Sequence, residues 1–272
     1  MNRLFVANKP RFISSNGFLS RLKRKYGVKS AGFSGTLDPL ATGALIVAFG
    51  QYTRLFGYLA KTPKRYRAVL WLGAHSRSLD IEQVDRIVQT PRLSLAAIDE
   101  SLCAFTGEIE QYPPIFSAIK FNGKRSYKLA RKGEQTAIKP RLVYVYDLKL
   151  VAYSHPFLTF DAAVGEGCYI RSLGRDIALR LGCSGSLSYL ERVSEGRFSF
   201  DNEKPLNPLD FIDMKRNRYL GDQMDLYRGK RLQISGFTDQ TDGDYLIESE
   251  NFFTIINLFD GAVTYKLGSR GG

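Results

Sequence analysis

One carboxylate, Asp38, is isolated among cations in the N-terminal part of the chain. It is the only acidic residue among residues 1–79, which contain fourteen Lys or Arg residues. Asp38 lies within residues 35–43, a stretch rich in Gly, Thr and Pro that predicts a loop, where catalytic groups are often presented. Basic residues around a lone acid suit a polyanionic substrate. We therefore predict an active centre for nucleic acid at Asp38; the alternative is an Asp that only stabilises a turn.

The net positive charge of the chain comes entirely from its first third. The net charge of the 272 residues is +12, and residues 1–80 alone hold fourteen basic and two acidic residues, so the remainder is balanced. Such an asymmetry favours a nucleic-acid face built mainly from the N-terminal part. The alternative is a solvated basic surface that only aids solubility.

Several classes of protein are disfavoured by composition. No apolar run approaches the roughly 18–20 residues of a membrane span, and the N-terminus has no long apolar segment of a secretory signal, so we expect a cytoplasmic protein. Cys103, Cys168 and Cys183 form no C-x-x-C pair and are expected to be small buried or half-buried thiols. His75 and His155 lie far apart, so we predict no metal site and acid–base chemistry without histidine.

Two elements must position Asp38. Before the loop, Phe18 and Leu22 have helical spacing, Ser14 offers an N-cap, and Gly27 can end the helix. After the loop, residues 44–49 form an apolar run that predicts a fully buried strand. Asp38 is thus expected on a loop held between two rigid elements.

The rest of the chain mixes strand and helix patterns. It predicts strands over residues 66–72, 143–153 and 157–164, helices near residues 95–105 and 170–181, and a hairpin turn at Asn122-Gly123. Pro205 and Pro208 flank a linker, which divides the chain into residues 1–207 and a small β-rich unit, residues 208–272. This pattern predicts an α+β fold.

Short motifs follow one another in a fixed order. They are Asn8-Lys9-Pro10 with Ser14-Ser15-Asn16, residues 34–43, Lys64-Arg65-Tyr66-Arg67, residues 114–120 with Gly123-Lys124, residues 167–173 and residues 188–192. Over about residues 3–200 this series closely resembles the bacterial tRNA pseudouridine-55 synthases. The C-terminal part only weakly resembles their small RNA-binding domain. Phe33 and Asn8 depart from the family, which often has His and Asp at these positions.

The resemblance implies a fold and a reaction. The fold is a pseudouridine synthase core with a mixed or antiparallel sheet, flanking helices and a small PUA-like C-terminal domain. The reaction is the conversion of uridine to pseudouridine in the T-arm loop of tRNA, at position 55. The substrate base is flipped out of the folded loop. No cofactor is required, because the base leaves C1′ and rejoins it through C5 without redox change.

The resemblance also assigns residue roles. Asp38 is the nucleophile or the carboxylate that stabilises the sugar cation, Arg171 is the guanidinium partner that orients it, and Tyr66 stacks on the uracil and takes part in proton transfer. Tyr169 and Leu190 line the base pocket. The alternative for these residues is ordinary packing or, for Arg171, an exposed position in the first turn of a helix.

Contacts to the RNA backbone are expected from a set of cations, namely Lys9, Lys120, Lys124, Arg125 and Arg131. Basic residues interleaved with aromatic ones suit an RNA loop, in which phosphates and unstacked bases are both available. Residues 114–142 are expected to form an RNA-gripping insertion, a clamp over the tRNA stem-loop.

Two other functions compete with this prediction. The first is an RNA chaperone that helps tRNA to fold, with catalysis secondary or lost. The second is the guide-RNA-dependent subunit of a pseudouridylation particle, which the short chain without charged tails disfavours. For the leading prediction we expect a monomer with tRNA as its partner, no obligate protein partner and no membrane.

Overall fold

The computed structural model describes residues 1–115, 120–121, 124–125 and 139–268. Within this part the chain forms sixteen strands, which are β1 (Arg3–Lys9), β2 (Ala31–Phe33), β3 (Thr42–Phe49), β4 (Lys64–Leu72), β5 (Ala74–Ser76), β6 (Val84–Ile87), β7 (Gly107–Gln111), β8 (Lys120–Phe121), β9 (Lys124–Arg125), β10 (Arg141–Ser154), β11 (Phe157–Val164), β12 (Gly185–Glu195), β13 (Phe198–Ser199), β14 (Gly243–Glu248), β15 (Phe253–Phe259) and β16 (Ala262–Gly268). The described α-helices are α1 (Ser15–Lys25), α2 (Leu95–Cys103), α3 (Ile170–Arg180) and α4 (Gln223–Arg228). Short 3₁₀ helices cover Gly50–Gly57, Ile81–Gln83, Pro208–Phe211 and Ile234–Gly236.

A nine-stranded mixed sheet forms the centre of the molecule. Its order is β1-β3-β12-β4-β11-β10-β7, with β2 paired to β3 and β13 paired to β12. These pairings are antiparallel except that between β3 and β12, which is parallel. In that pairing Gly43 lies opposite Arg192. The parallel pairing therefore brings β12 directly beside the segment that follows Asp38.

The predicted elements around Asp38 are confirmed. Helix α1 buries Phe18 and Leu22, and its N-cap Ser14 accepts a hydrogen bond from the Gly17 amide. Gly27 follows the helix with φ +63°, a conformation that glycine adopts without strain. Strand β3 is buried on both faces, as its continuous apolar sequence predicts.

The predicted β-rich character of the C-terminal part is also confirmed. Strands β14, β15 and β16 form a three-stranded antiparallel sheet. One face packs against the central sheet, where Leu246 and Ile255 join Leu4 and Ile46 in a hydrophobic cluster. The other face covers a separate small core that includes Leu226 and Phe237. The central sheet is thus covered here by the C-terminal unit, and its opposite face carries the main core with α1, α2 and α3.

Of the predicted insertion, residues 114–142, only part is described. The backbone of β8 pairs antiparallel with that of β9, Lys120 opposite Arg125, which confirms the predicted pairing, while the predicted turn at Asn122-Gly123 lies outside the described residues. For Lys120, Lys124 and Arg125 the description extends to the backbone alone. Arg131 lies outside the described residues, so its RNA contact stays a prediction.

The cysteines differ in one respect from expectation. Cys168 and Cys183 are half-buried, but Cys103 is exposed, because it ends α2 on the face turned away from the core. All three are free thiols. Among the helices described, none is long and apolar enough to cross a membrane.

Candidate active site

Five predicted site residues meet in one cleft of about 300 Å³. The cleft lies where the 35–41 loop, β4, β12 and the start of α3 converge. Its lining includes Asp38, Tyr66, Tyr169, Arg171 and Leu190. These residues come from four separate segments, so the sheet topology and not local sequence assembles the cleft.

Arg171 holds Asp38 in a fixed orientation. Its Nε lies 2.8 Å from Oδ2 of Asp38, whose side chain remains about one-third exposed to the cleft. Arg171 itself is buried in the first turn of α3, and its Nη1 donates a hydrogen bond of 2.7 Å to the Ser78 carbonyl. The Arg171 side chain is therefore not exposed, in contrast to the alternative prediction. A guanidinium fixed at both ends presents the free part of the Asp38 carboxylate to the cleft.

A second carboxylate, Asp80, supports Arg171 from behind. Its Oδ2 lies 3.7 Å from Arg171 Nη1, and the side chain is buried. Oδ1 of Asp80 accepts hydrogen bonds from the Ser78 hydroxyl at 2.5 Å and the Glu82 amide at 3.0 Å. The sequence prediction missed this residue, although Asp80 is the only other acid within residues 1–80.

The first motif of the chain anchors the loop that carries Asp38. The Ser15 hydroxyl accepts a hydrogen bond from the Leu37 amide and donates one to the Leu37 carbonyl, both at 2.9 Å. The Phe12 amide donates to the Pro39 carbonyl at 2.6 Å. The loop is thereby fixed on both sides of Asp38, which limits the positions that its carboxylate can take.

The predicted RNA contact of Lys9 is wrong. Lys9 is fully buried, and its ammonium donates to the carbonyls of Pro10 (2.9 Å), Ile13 (2.7 Å) and Pro39 (3.4 Å). Burial lowers the pKa of Lys9 from 10.5 to about 8, although the nearby Asp38 carboxylate opposes this change. The ammonium therefore binds the Asp38 loop and cannot reach a phosphate in solvent.

Beneath the same loop lies a buried ion pair of Arg192 and Glu195. Arg192 Nη2 donates to the Gly35 carbonyl at 2.9 Å and Nε to the Ala44 carbonyl at 2.8 Å. Glu195 Oε2 lies 3.4 Å from Arg192 Nη2, and Lys64 Nζ lies 3.6 Å from Glu195 Oε1. Arg192 thus joins the two ends of the 35–44 segment. Arg192 belongs to the motif at residues 188–192, but the sequence analysis did not predict a role for its side chain.

Tyr66 places its ring in the cleft from β4. It is 9% exposed, and it lies opposite Arg192 in the β4–β12 pairing. Burial raises the pKa of the Tyr66 phenol, and the Arg192 guanidinium beside it partly opposes this change. The phenol is consequently protonated at neutral pH, where it can donate a proton or a hydrogen bond but is a poor base.

Two residues that the sequence prediction missed hold Tyr169. The buried amide of Gln111 accepts from the Tyr169 backbone N–H at 2.8 Å and donates to its carbonyl at 3.2 Å. The Arg141 guanidinium lies 4.7 Å from the centre of the Tyr169 ring and donates to the Gly167 carbonyl. Leu190 is buried at 4% exposure and closes the apolar side of the cleft.

The Cys168 thiol next to Tyr169 is held in its neutral form. Burial raises the pKa of Cys168 to about 12, and the Gln111 side chain only partly opposes this change. In the part of the chain that the structure covers, no three His, Cys, Asp or Glu side chains are grouped so that they could hold a metal ion.

Comparison with known proteins finds one family. Residues 23–170 match the family model "TruB family pseudouridylate synthase (N terminal domain)". The chain is 53% identical over 98% of its length to a tRNA pseudouridine synthase B of Sulfurovum sp., 96% of which is covered. It is 47% identical to a tRNA pseudouridine synthase B of Campylobacter jejuni subsp. jejuni, with 98% of each chain covered.

Solved structures with the same fold are more distant in sequence. A chain of a Cbf5-Nop10-Gar1 complex superimposes with a TM-score of 0.69 at 19% identity, covering 98% of this chain and 85% of that one. A chain of an H/ACA RNP bound to a substrate RNA containing 2′-deoxyuridine gives a TM-score of 0.69 at 17% identity, with 99% and 85% covered. At these identities the likeness concerns the fold alone.

Proposed function

The chain belongs to the TruB family of pseudouridylate synthases, and we propose that it converts uridine to pseudouridine in the T-arm loop of tRNA, at position 55. Its relatives at about 50% identity are named tRNA pseudouridine synthase B. In this reaction the bond between N1 and C1′ breaks and a bond between C5 and C1′ forms. The proton lost from C5 is balanced by one gained at N1, so the product is an isomer of the substrate.

The observation that carries this proposal is the Asp38 carboxylate, held by Arg171 and open to the cleft. One carboxylate oxygen is engaged at 2.8 Å, and the side chain remains one-third exposed. A carboxylate beside an electron-poor sugar carbon can attack it or stabilise its developing positive charge. Asp38 acts here as the nucleophile, and Arg171 is the group that orients it.

Tyr66, Tyr169 and Leu190 hold the base in this proposal. A uracil enters the cleft only after extrusion from the tRNA loop, because Asp38 lies inside the cleft and not at the protein surface. The Tyr66 ring then packs on the uracil, and its phenol, whose pKa burial raises, supplies a proton or a hydrogen bond. Tyr169 and Leu190 exclude water from the detached base.

Binding of the remainder of the tRNA involves elements outside the cleft. We assign it to the insertion at residues 114–142, with Lys120, Lys124, Arg125 and Arg131 as backbone contacts. Residues 208–272 form the second domain, which is PUA-like. The basic N-terminal surface adds long-range attraction for the tRNA polyanion.

No second chain is required for the chemistry proposed. Asp38, Tyr66 and Arg171 all come from one chain and already lie in one cleft, which favours a monomer acting on tRNA without a guide RNA or an obligate protein partner. The cytoplasm, where tRNA is found, is the proposed location.

The proposal is tested by mapping pseudouridine in an unmodified tRNA transcript after incubation with wild type, Asp38→Asn or Asp213→Asn. Asp213 is exposed in the C-terminal part and serves as the matched control. We expect one new pseudouridine in the T-loop with wild type and with Asp213→Asn. We expect none with Asp38→Asn, because an amide is neither a nucleophile nor an anion.

Other outcomes distinguish the competing functions. Tight tRNA binding without modification by wild type would favour the RNA chaperone. Modification that depends on an added guide RNA would favour the pseudouridylation-particle subunit. Normal modification by Asp38→Asn would refute the catalytic role of Asp38.

A further inference from the structure

Phe12 combines backbone strain with exposure. Its φ is +62°, a left-handed conformation that is uncommon for a bulky residue, and its side chain is 66% exposed. Neither feature benefits the fold: glycine would adopt this backbone without cost, and an exposed phenyl ring gains little from packing. Strain of this kind persists where surrounding contacts impose it and is often found at functional sites.

The surrounding contacts fix Phe12 beside the active-site cleft. Its amide donates to the carbonyl of Pro39, the residue after Asp38, at 2.6 Å. Its ring belongs to a cluster in which the Arg11 guanidinium lies over two rings, 4.8 Å from the centre of the Phe12 ring and 5.4 Å from that of Tyr189. Tyr189 directly precedes Leu190, which lines the cleft.

The cluster of Phe12, Arg11 and Tyr189 is attached to the sheet. Arg11 Nη2 donates to the Ser188 carbonyl at 3.0 Å, and the Tyr189 hydroxyl donates to Glu191 at 2.8 Å. The Arg11 and Tyr189 side chains are half-buried, so Phe12 is the member that offers its ring to solvent. A rigid aromatic surface backed by a guanidinium is suited to stacking on a flat partner.

We propose that Phe12, backed by Arg11 and Tyr189, is a stacking platform for an unpaired base of the RNA substrate other than the base that enters the cleft. The inference rests on the proposed function, because the partner is taken to be a folded RNA loop that opens at the cleft. Extruding one nucleotide from such a loop unstacks its neighbours, and an aromatic ring at the rim restores stacking for one of them.

The platform predicts opposite effects on folding and on binding. Replacing Phe12 by Gly removes the ring and relieves the backbone strain, so the melting temperature should stay the same or rise. The same change should raise the Kd for an unmodified tRNA transcript roughly tenfold, the usual size of a lost base–aromatic stack. The salt dependence of the Kd should not change, because no phosphate contact is lost.

Further variants separate aromatic stacking from simple contact. Phe12→Leu keeps the strained backbone without an aromatic ring and should also weaken binding. Phe12→Tyr should retain wild-type affinity. The matched control is Phe157→Leu. Phe157 is also exposed, but it lies at the other end of the sheet, opposite Trp71 of β4. The Kd of this control should match that of wild type.

The measurements are filter binding at two salt concentrations, thermal unfolding, and single-turnover pseudouridine formation with enzyme in saturating excess over tRNA. A Kd within twofold of wild type for both Phe12→Gly and Phe12→Leu would overturn the platform, as would a reduced salt slope. If wild type forms pseudouridine while these variants bind normally, the platform alone fails. If wild type binds tRNA without forming pseudouridine and Phe12→Gly binds weakly, the platform stands and the proposed function fails.

Discussion

The buried ammonium of Lys9 gives a prediction about stability and pH. Lys9 is 0% exposed, and its Nζ donates to three carbonyls, including that of Pro39 beside Asp38. Burial lowers its pKa from 10.5 to about 8. Because the folded-state pKa lies below the unfolded-state pKa, the unfolded chain binds more protons between pH 8 and 10.5. The free energy of unfolding contributed by Lys9 therefore rises with pH across this window.

The size of the effect follows from the shift in pKa. A tenfold change in proton affinity is worth about 1.4 kcal/mol, so the full change is about 3 kcal/mol. Between pH 7.5 and pH 10, the free energy of unfolding contributed by Lys9 should increase by about 2 kcal/mol. Lys9→Met removes the titrating group and keeps an unbranched side chain. The stability of wild type relative to Lys9→Met should therefore increase by about 2 kcal/mol over this range.

The assay is urea unfolding of both proteins at several pH values, followed by circular dichroism. Other titrating groups, including Tyr66, are present in both proteins and cancel in the difference. Exposed Lys29 provides the control, because Lys29→Met removes an ammonium that is solvated in both states. A difference between wild type and Lys9→Met that stays constant within 0.5 kcal/mol would refute the argument, since the Lys9 ammonium would then be hydrated in the folded protein.

Two further predictions concern residues that hold the site. Asp80→Asn removes the charge 3.7 Å from Arg171 Nη1, which loosens the guanidinium that orients the Asp38 carboxylate. In steady-state assays kcat should then fall about 10²-fold with KM within twofold, and a loss confined to KM would contradict this. Gly43→Ala places a Cβ 2.3 Å from the backbone oxygen of Arg192 at φ +102°, and urea unfolding should show a loss of about 2–4 kcal/mol from strain and overpacking. The control Gly57→Ala meets nothing within 4 Å and should change stability by less than about 0.5 kcal/mol; equal effects of the two changes would refute the clash.

The parts of the molecule that depend on local chemistry were predictable from sequence. Helix α1 follows from the Ser14 cap, the spacing of Phe18 and Leu22, and Gly27. Strand β3 follows from an apolar run too long to be anything but buried. Asp38 was recognisable because a lone acid in a basic, turn-rich segment is unusual, and because the neighbouring motifs occur in the family order.

The sequence does not reveal whether a charged side chain is exposed to solvent or buried. Lys9 belongs to a basic segment and was expected in solvent, but its ammonium donates to the Pro10 and Ile13 carbonyls, just after β1, and to the Pro39 carbonyl of the Asp38 loop. The Pro39 carbonyl reaches the ammonium only after the Asp38 loop has folded against the end of β1. Whether a lysine is exposed or buried depends on how such a loop packs over it, which the local sequence does not encode.

The sequence by itself therefore determined the family, the α+β class and the choice of Asp38 as the candidate catalytic residue, since these rest on residue types and their order. The tertiary structure alone decided how the site is held. Asp80 reaches Arg171 across ninety-one residues, and Arg192 reaches Gly35 across 157. Such contacts depend on the parallel pairing of β3 with β12 and on the packing of α3. A long-range pairing is selected by the energy of the whole sheet, so the residues that it joins carry no shared local signal.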